Sequence, residues 1–238
     1  MNAANNTVPV YTKVSACRDS VIALKNDGTV WTWGRNDMGQ IGDGTESQQD
    51  FRSTPVQVKG ISNAADIAAG EGFRVVLRMD GTVWAWGMWG NALDPGEYSL
   101  VPVKIEGFND VKAVAADSSN ISALKKDGTV WTWGQADWEL PQSDALLDET
   151  GSNAYEAKQV KGISDAVMVA AADRHMLALK KDGSVWTWGV HLKITDTGKG
   201  NLLAKDEYIK PVPIPNLKNV SWISAEAEGL IYESAIAA

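Results

Sequence analysis

The sequence contains few of the residues from which most active sites are built. It has one cysteine and two histidines in 238 residues. Cys17 cannot form an intrachain disulfide, and no grouping of histidine and cysteine has the spacing of a metal site. The Gly-x-Ser-x-Gly elbow of hydrolases and the phosphate-binding loop are also missing from the sequence. We therefore expect no metal, no cofactor and no catalytic activity.

Long apolar runs and basic clusters are scarce as well. No stretch reaches the roughly 18 apolar residues that cross a bilayer, and residues 1–7 lack the cationic start and apolar core of a signal peptide. The net charge of −8 opposes binding to nucleic acid or anionic lipid, which requires clustered Lys and Arg. We expect no nucleic-acid and no membrane partner. The compartment is left open, with an extracellular or cell-surface location favoured over the cytoplasm.

Tryptophan, by contrast, is abundant. Eight of the 11 tryptophans belong to a phrase, Asp-Gly-Thr/Ser-Val-Trp-Thr/Ala-Trp-Gly, that occurs four times. The phrase covers residues 27–34, 80–87, 127–134 and 182–189, so its final glycines are 53, 47 and 55 residues apart. A repeat of this period is typical of β-propeller blades.

Each phrase lies within a longer repeated unit. Before it come a strand of small residues and an apolar strand, such as 14–17 and 21–24, and an Asp-Gly turn leads into the phrase. After it comes a variable stretch and then a strand with proline, which must be an edge because proline cannot donate to a ladder. We predict an all-β propeller of four-stranded blades, in one domain of residues 1–238. The predicted units are about 8–58, 61–105, 108–161 and 164–214, with a partial fifth at 217–238.

The chain resembles the regulator of chromosome condensation repeat family, in its bacterial form. The likeness is carried by Leu24-Lys25-Asn26-Asp27-Gly28-Thr29-Val30-Trp31-Thr32-Trp33-Gly34-Arg35-Asn36-Asp37-Met38-Gly39-Gln40-Ile41-Gly42-Asp43-Gly44-Thr45 and then Thr54-Pro55-Val56. The resemblance implies a β-propeller, usually of seven blades in the family and of fewer here. Five inner strand pairs against four tryptophan phrases leave two arrangements open. One is a small closed ring in which residues 8–10 complete the fifth blade, and the other is an open arc whose exposed faces bind a partner or self-associate.

Because the repeat assigns most residues to the scaffold, the candidate partner-binding residues lie outside it. Variable loops on a rigid frame are typical of recognition, and tryptophan is common at binding hot spots. For the two loop tryptophans, folding back over the blade edge is the alternative. The candidates are Trp89, Trp138 and His191 in the variable connections, and Arg18, Arg74 and Arg174 in turns around one mouth of the axis. Trp222, which precedes an inner strand, is expected in the core.

These features favour a non-catalytic protein-interaction scaffold. The alternative is an inhibitor of a secreted or cell-envelope enzyme, which the resemblance implies because a β-lactamase inhibitor has similar repeats. Guanine-nucleotide exchange on a small GTPase is a further role implied by the family, but we find no extra hairpin of the kind its nuclear exchange factor uses. Sugar cleavage by paired carboxylates such as Asp117 and Asp173 has the least support, because the two positions are off by one in the repeat.

Overall fold

The computed structural model describes residues 10–47, 51–89, 98–118, 120–134, 157–172, 175–196 and 202–225. Within these ranges every regular element is a β-strand. The strands form four antiparallel sheets of four strands each, and each sheet is one blade. The predicted all-β fold with fewer than seven blades is therefore confirmed.

The sixteen strands repeat one order along the chain. The first strand of each blade holds the small residues: β1 (Tyr11–Cys17), β5 (Ala64–Ala69), β9 (Val111–Ala116) and β13 (Ala166–Ala172). The second strands are apolar: β2 (Ser20–Lys25), β6 (Phe73–Arg78), β10 (Asn120–Lys125) and β14 (His175–Lys180). The third strands hold the tryptophan phrase: β3 (Val30–Arg35), β7 (Val83–Met88), β11 (Val130–Gly134) and β15 (Val185–Asp196). The fourth strands are β4 (Phe51–Gln57), β8 (Tyr98–Ile105), β12 (Lys158–Gln159) and β16 (Leu202–Pro213).

Hydrogen bonds join the strands of each blade in sequence order, so the first and fourth strands are its two edges. The first strands of successive blades contact one another, β1 with β5, β5 with β9 and β9 with β13. They therefore line the inside of the arc, where small residues allow close approach. The fourth strands form the outer edge and carry Pro55, Pro102 and Pro211, which confirms the prediction that the proline strands are edges.

The Asp-Gly turn between the second and third strands is a structural unit. Asp27 accepts hydrogen bonds from the backbone N–H (2.9 Å) and the hydroxyl (2.6 Å) of Thr29, and Gly28 has a φ of 77°. The Trp31 Nε1–H donates to the same hydroxyl at 3.0 Å, and Lys25 Nζ lies 3.9 Å from the Trp31 ring centroid. The aspartate contacts recur in all four blades. In each turn the Thr or Ser two residues after the aspartate donates hydrogen bonds from its hydroxyl and its backbone N–H. These bonds lower the pKa of Asp27, Asp80, Asp127 and Asp182.

Successive blades are connected by a repeated contact that we call the blade joint. Its central residue has a positive φ between 53° and 59° and is Asn63, Asp110, Asp165 or Asn219. Asparagine and aspartate tolerate this left-handed backbone better than most residues. The next residue donates its N–H to the carbonyl of the turn glycine, at 3.1 Å for Ala64 to Gly28. The same bond measures 3.0 Å for Ala166 to Gly128 and 3.1 Å for Val220 to Gly183.

Apolar side chains are buried between blades. We call the side of a blade toward the preceding blade its leading face, and the side toward the following blade its trailing face. Ile22 and Val30, on the trailing face of blade 1, pack with Ile67 and Trp86 on the leading face of blade 2. Equivalent clusters lie between blades 2 and 3 and between blades 3 and 4. Internal blades therefore bury both faces, as the alternation in the tryptophan strands predicted.

The two ends of the array differ. The trailing face of blade 4 is covered by the chain that follows it, since Val220 and Ile223 pack against Leu177 and Leu179. At the other end, Val10 exchanges backbone and side-chain hydrogen bonds with Asn26 of its own blade, at 2.9 and 3.1 Å. Val10 is therefore held by blade 1, whereas residues 8 and 9 of the predicted closing strand lie outside the described residues.

Candidate interaction surface

In blades 1 and 2 the turns between the first and second strands contact each other and form a polar surface that we call the polar mouth, and Arg18 lies on it. Arg18 is exposed, has a φ of 49° and forms an ion pair with Glu71 in the equivalent turn of blade 2. An exposed ion pair of this kind contributes little to stability. Arg18 therefore remains available to a partner.

Arg74, predicted for the same mouth, is instead fully buried between blades 1 and 2. Its guanidinium donates to the carbonyls of Gly70 (2.8 Å) and Phe73 (2.6 Å) and to the hydroxyl of Ser20. Burial lowers the pKa of Arg74 to about 10, so the group is still charged at neutral pH. Its position is one that apolar residues fill in blades 3 and 4 (Ile121 and Met176). Arg74 is a core residue and is not accessible to a partner.

Two other polar groups near the mouth serve the fold. Burial raises the pKa of the Cys17 thiol, although the nearby Arg74 opposes the shift, so the thiol stays protonated at neutral pH. Asp117 is buried and accepts hydrogen bonds from the backbone N–H (2.7 Å) and side-chain amide (3.1 Å) of Asn120. It caps its own turn, and Asp173, its suggested catalytic partner, lies outside the described part of the chain.

The glycine-rich loop after β3 closes the contact between blades 1 and 2. Asn36 is buried and holds the loop through hydrogen bonds with Ile41 N–H (3.1 Å) and the Thr45 carbonyl (3.0 Å). The Gln40 carbonyl accepts a hydrogen bond from Trp86 Nε1–H of blade 2 at 2.9 Å. The loop of blade 1 therefore covers Trp86, which is the second of the two tryptophans in the phrase of blade 2.

Trp89 performs the same covering role between blades 2 and 3. It follows β7, is only 4% exposed, and packs edge-on against Trp133 with the ring centroids 5.7 Å apart. The loop after β7 has no Gly-Gln-Ile-Gly segment. The Trp89 indole covers Trp133 of blade 3 in the way that this segment of blade 1 covers Trp86 of blade 2. Trp89 therefore lies in the core between blades 2 and 3, which is neither the predicted partner contact nor the alternative of folding over the edge of its own blade.

A long hairpin in blade 4 is the main feature that the sequence did not predict. The third strands of the other blades end within one residue of the phrase glycine, whereas β15 continues from Gly189 to Asp196. It pairs with β16 through seven further residue pairs, from Val190–Tyr208 to Asp196–Leu202. At about 3.3 Å per residue these pairs extend the hairpin by roughly 20 Å. The variable loop expected here is instead a continuation of the third and fourth strands of blade 4, and His191, paired with Glu207 in this register, lies on a strand and not in a loop.

Trp222 also differs from its prediction. It is 51% exposed, whereas the adjacent Ile223 is 5% exposed and packs against blade 4. Neighbouring residues of an extended chain point to opposite sides, so Ile223 fills the core position and Trp222 faces away from blade 4. The remaining candidates, Trp138 and Arg174, lie outside the described residues and stay predictions.

Among the residues that the structure describes, no group of three or more His, Cys, Asp and Glu side chains is placed to hold a metal ion. The same residues include no helix with the length and hydropathy to cross a membrane.

The first tryptophan phrase, the loop that covers Trp86 and the first blade joint lie in a segment that matches a known repeat family. The Regulator of chromosome condensation (RCC1) repeat matches residues 27–77, and a second description of this repeat matches residues 11–40. Residues 11–77 thus match the RCC1 repeat. The matched segment includes the loop of residues 36–45 and the first blade joint.

Curated relatives match this chain over part of their length. The protein pim1 of Schizosaccharomyces pombe is 27% identical over 202 residues, which are 76% of this chain and 37% of pim1. The probable E3 ubiquitin-protein ligase HERC3 of Homo sapiens is 36% identical over 69 residues, which are 28% of this chain and 6% of HERC3.

Solved structures show the same fold. Prp20p from Saccharomyces cerevisiae, whose binding to Gsp1p and histones has been described, superposes with a TM-score of 0.71 at 20% identity, over 93% of this chain and 55% of Prp20p. Human WBSCR16 superposes with a TM-score of 0.70 at 16% identity, over 94% of this chain and 57% of that protein. The chain thus spans little more than half the length of these propellers.

Proposed function

We propose that this chain, with its RCC1-like propeller blades, is a non-catalytic protein-interaction module. The blades form the rigid frame, and the hairpin of β15 and β16 is the element that contacts the partner. The observation that carries the proposal is the extension of that hairpin by seven residue pairs beyond Gly189. A two-stranded ribbon is marginally stable by itself, and its outer edges can pair with an added strand. Its extension beyond the blade is therefore better explained by a contact with a partner than by stability.

The relatives support a protein as the partner. Prp20p has been described as binding Gsp1p and histones, and it has been crystallised with Kap60. Within this chain, His191 on the hairpin and Arg18 on the polar mouth are the predicted contact residues that remain compatible with the structure. Trp138 and Arg174 remain further candidates.

The test is removal of the hairpin extension. Replacing residues 190–208 by Asn-Gly joins Gly189 to Ile209 through a tight turn that suits a β-hairpin. In crosslinking and affinity capture from the source cells, we expect the intact chain to retain a stoichiometric protein partner and the shortened chain to lose it, with equal thermal unfolding midpoints. Met79→Lys, a change in an exposed turn that has lysine in blades 3 and 4, is the control and should retain the partner. Equal capture by the intact and shortened chains would contradict the assignment.

Guanine-nucleotide exchange is a second candidate, favoured by the hairpin together with the similarity to Prp20p. A Ran-type GTPase loaded with a fluorescent GDP analogue should release it faster with the intact chain than with the shortened chain. Release at the intrinsic rate with both chains would remove this candidate and leave the interaction module. If the captured partner is a secreted or cell-envelope enzyme whose activity falls on binding, the inhibitor alternative applies. A location outside the cytoplasm stays a prediction that fractionation of the source cells would test.

A further inference from the structure

The leading face of blade 1 is an interblade surface without a covering blade among the described residues. Val14 is 57% exposed, whereas Ile67 and Val114, at the same position in blades 2 and 3, are 1% and 5% exposed. The second of the two tryptophans in each phrase shows the same difference in exposure between blade 1 and later blades. Trp33 is partly exposed and is contacted by the Tyr11 ring at 6.3 Å, whereas Trp86 and Trp188 are 0% and 1% exposed.

The opposite end of the array presents the matching surface. The joint bond of Val220 to Gly183 and the positive φ of Asn219 place residues 220–225 where a fifth first strand would begin. Ile223 occupies the leading face of this segment, so Trp222 and Ser224 lie on its trailing side. The 51% exposure of Trp222 is therefore an exposed apolar surface at the position where internal blades contact the next blade.

Contacts between blades 1 and 2 show how such surfaces fit together. In blade 1 the trailing residues of β1 are Lys13 and Ser15, which the repeat aligns with Trp222 and Ser224. Lys13 forms an ion pair with Asp66 of β5, and the Ser15 hydroxyl accepts a hydrogen bond from Ala69 N–H at 3.1 Å. Ala69 aligns with Ala16 of blade 1. The first strands of blades 2 to 4 have Ala68, Ala115 and Ala170 where Ser15 and Ser224 have a hydroxyl.

We propose that the exposed leading face of blade 1 binds residues 220–225 of a second copy of this chain, head to tail, by repeating the internal contact between β1 and β5. Trp222 of one copy covers Val14 of the next, and the Ser224 hydroxyl accepts the N–H of Ala16. Among the described residues no segment covers Val14, and the chain superposes on only 55% of Prp20p, so the described blades form part of a propeller. The proposal concerns a surface separate from the β15–β16 hairpin and does not depend on the proposed function.

A head-to-tail interface predicts a pattern of complementation that a symmetric interface does not, because two different surfaces meet. Val14→Lys places a charge on the leading face and leaves the trailing end intact. Trp222→Ser removes the apolar surface of the trailing end and leaves the leading face intact. Both positions are more than half exposed, so neither change should unfold the chain. Met79→Lys, at a position that is 70% exposed in a turn away from both surfaces, is the matched control.

The measurement is sedimentation velocity of the full chain from low to high micromolar concentration, with circular dichroism to check folding. We expect the average mass of the unchanged chain and of Met79→Lys to rise with concentration, and each end variant to associate at least tenfold more weakly. An equimolar mixture of the two end variants should form a 1:1 dimer and nothing larger, because each supplies one intact surface. A monomeric unchanged chain at every concentration would overturn the proposal. It would also be overturned by a mixture that stays monomeric while the unchanged chain associates. An end variant that associates by itself as strongly as the unchanged chain would overturn it too, because a symmetric interface through the surface left intact behaves in that way.

Discussion

Gly42 and Gly60 have nearly the same backbone conformation but different surroundings. Their φ angles are 77° and 80°. A Cβ atom added to Gly42 would lie 2.5 Å from Trp86 Nε1 and 2.7 Å from Trp86 Cδ1, whereas one added to Gly60 would meet nothing within 4 Å. Alanine at the two positions therefore separates the cost of the backbone conformation from the cost of disturbing the loop over Trp86.

The backbone cost is shared by the two substitutions. An alanine in the left-handed region loses about 1 to 2 kcal/mol relative to glycine. Gly42→Ala adds the overpacking of a filled site, which costs about 1 to 3 kcal/mol. A displaced Trp86 also leaves a buried N–H without the Gln40 carbonyl, at about 1 to 3 kcal/mol. We expect Gly42→Ala to be less stable than Gly60→Ala by about 2 to 6 kcal/mol.

The assay is urea-induced unfolding followed by circular dichroism, with the free energy extrapolated linearly to water. Gly60→Ala measures the backbone cost alone and is the control. Equal losses of stability in the two variants would refute the idea that the loop holds blades 1 and 2 together through Trp86.

The same assay tests three further expectations. Trp89→Ala should lower the free energy of unfolding by about 3 to 5 kcal/mol, because the side chain is 4% exposed; a change within the error would return Trp89 to the candidate contact residues. Arg74→Met, which introduces the residue of blade 4, should retain most of the stability, whereas Arg74→Ala should lose about 2 to 4 kcal/mol more through the cavity it leaves; equal losses would contradict a packing role. The lowered pKa of the turn aspartates (Asp27, Asp80, Asp127 and Asp182) favours the folded state above their unfolded pKa of about 4. This contribution is lost as the pH falls from there through the lower folded pKa. The urea midpoint should therefore decrease on acidification in this range, and less steeply in Asp127→Asn; parallel pH profiles would show that the turn does not contribute.

Local chemistry was sufficient to predict the blades. The Asp-Gly pair specifies a tight turn, alternation places Trp31 and Trp33 on one face, and Pro55 excludes β4 from the middle of a sheet. Each of these is a property of a few adjacent residues. They do not depend on which blade lies beside them.

The predictions were wrong where contacts with a neighbouring blade determine whether a side chain is buried. Arg74 is a surface residue by type, and it is buried because the carbonyls of Gly70 and Phe73 and the hydroxyl of Ser20 converge there. The alignment of Arg74 with Ile121 and Met176 was the available signal. Trp89 was a candidate contact residue because the sequence of its loop does not repeat. Its position does repeat, since it covers Trp133 as the loop of blade 1 covers Trp86.

The hairpin of blade 4 did have a signal in the sequence. Residues 190–196 and 202–209 are rich in β-branched, apolar and alternating polar residues, and the segment between them contains Gly198 and Gly200. It was interpreted as a variable loop because no other unit has a strand there. Comparison between repeats identifies what they share and gives no information on an element that occurs once.

The blade joint has a consequence for how such a protein changes in evolution. Asn63, Asp110, Asp165 and Asn219 present the same backbone to the preceding turn glycine, so the backbone connection between one unit and the next is the same at each of these boundaries. A duplication or deletion in the gene that begins and ends at this residue therefore adds or removes a whole blade and keeps the joint intact. The side chains between blades are specific to each pair, as the Gln40–Trp86 bond is to blades 1 and 2, so a new neighbour requires later substitutions only at that packed surface.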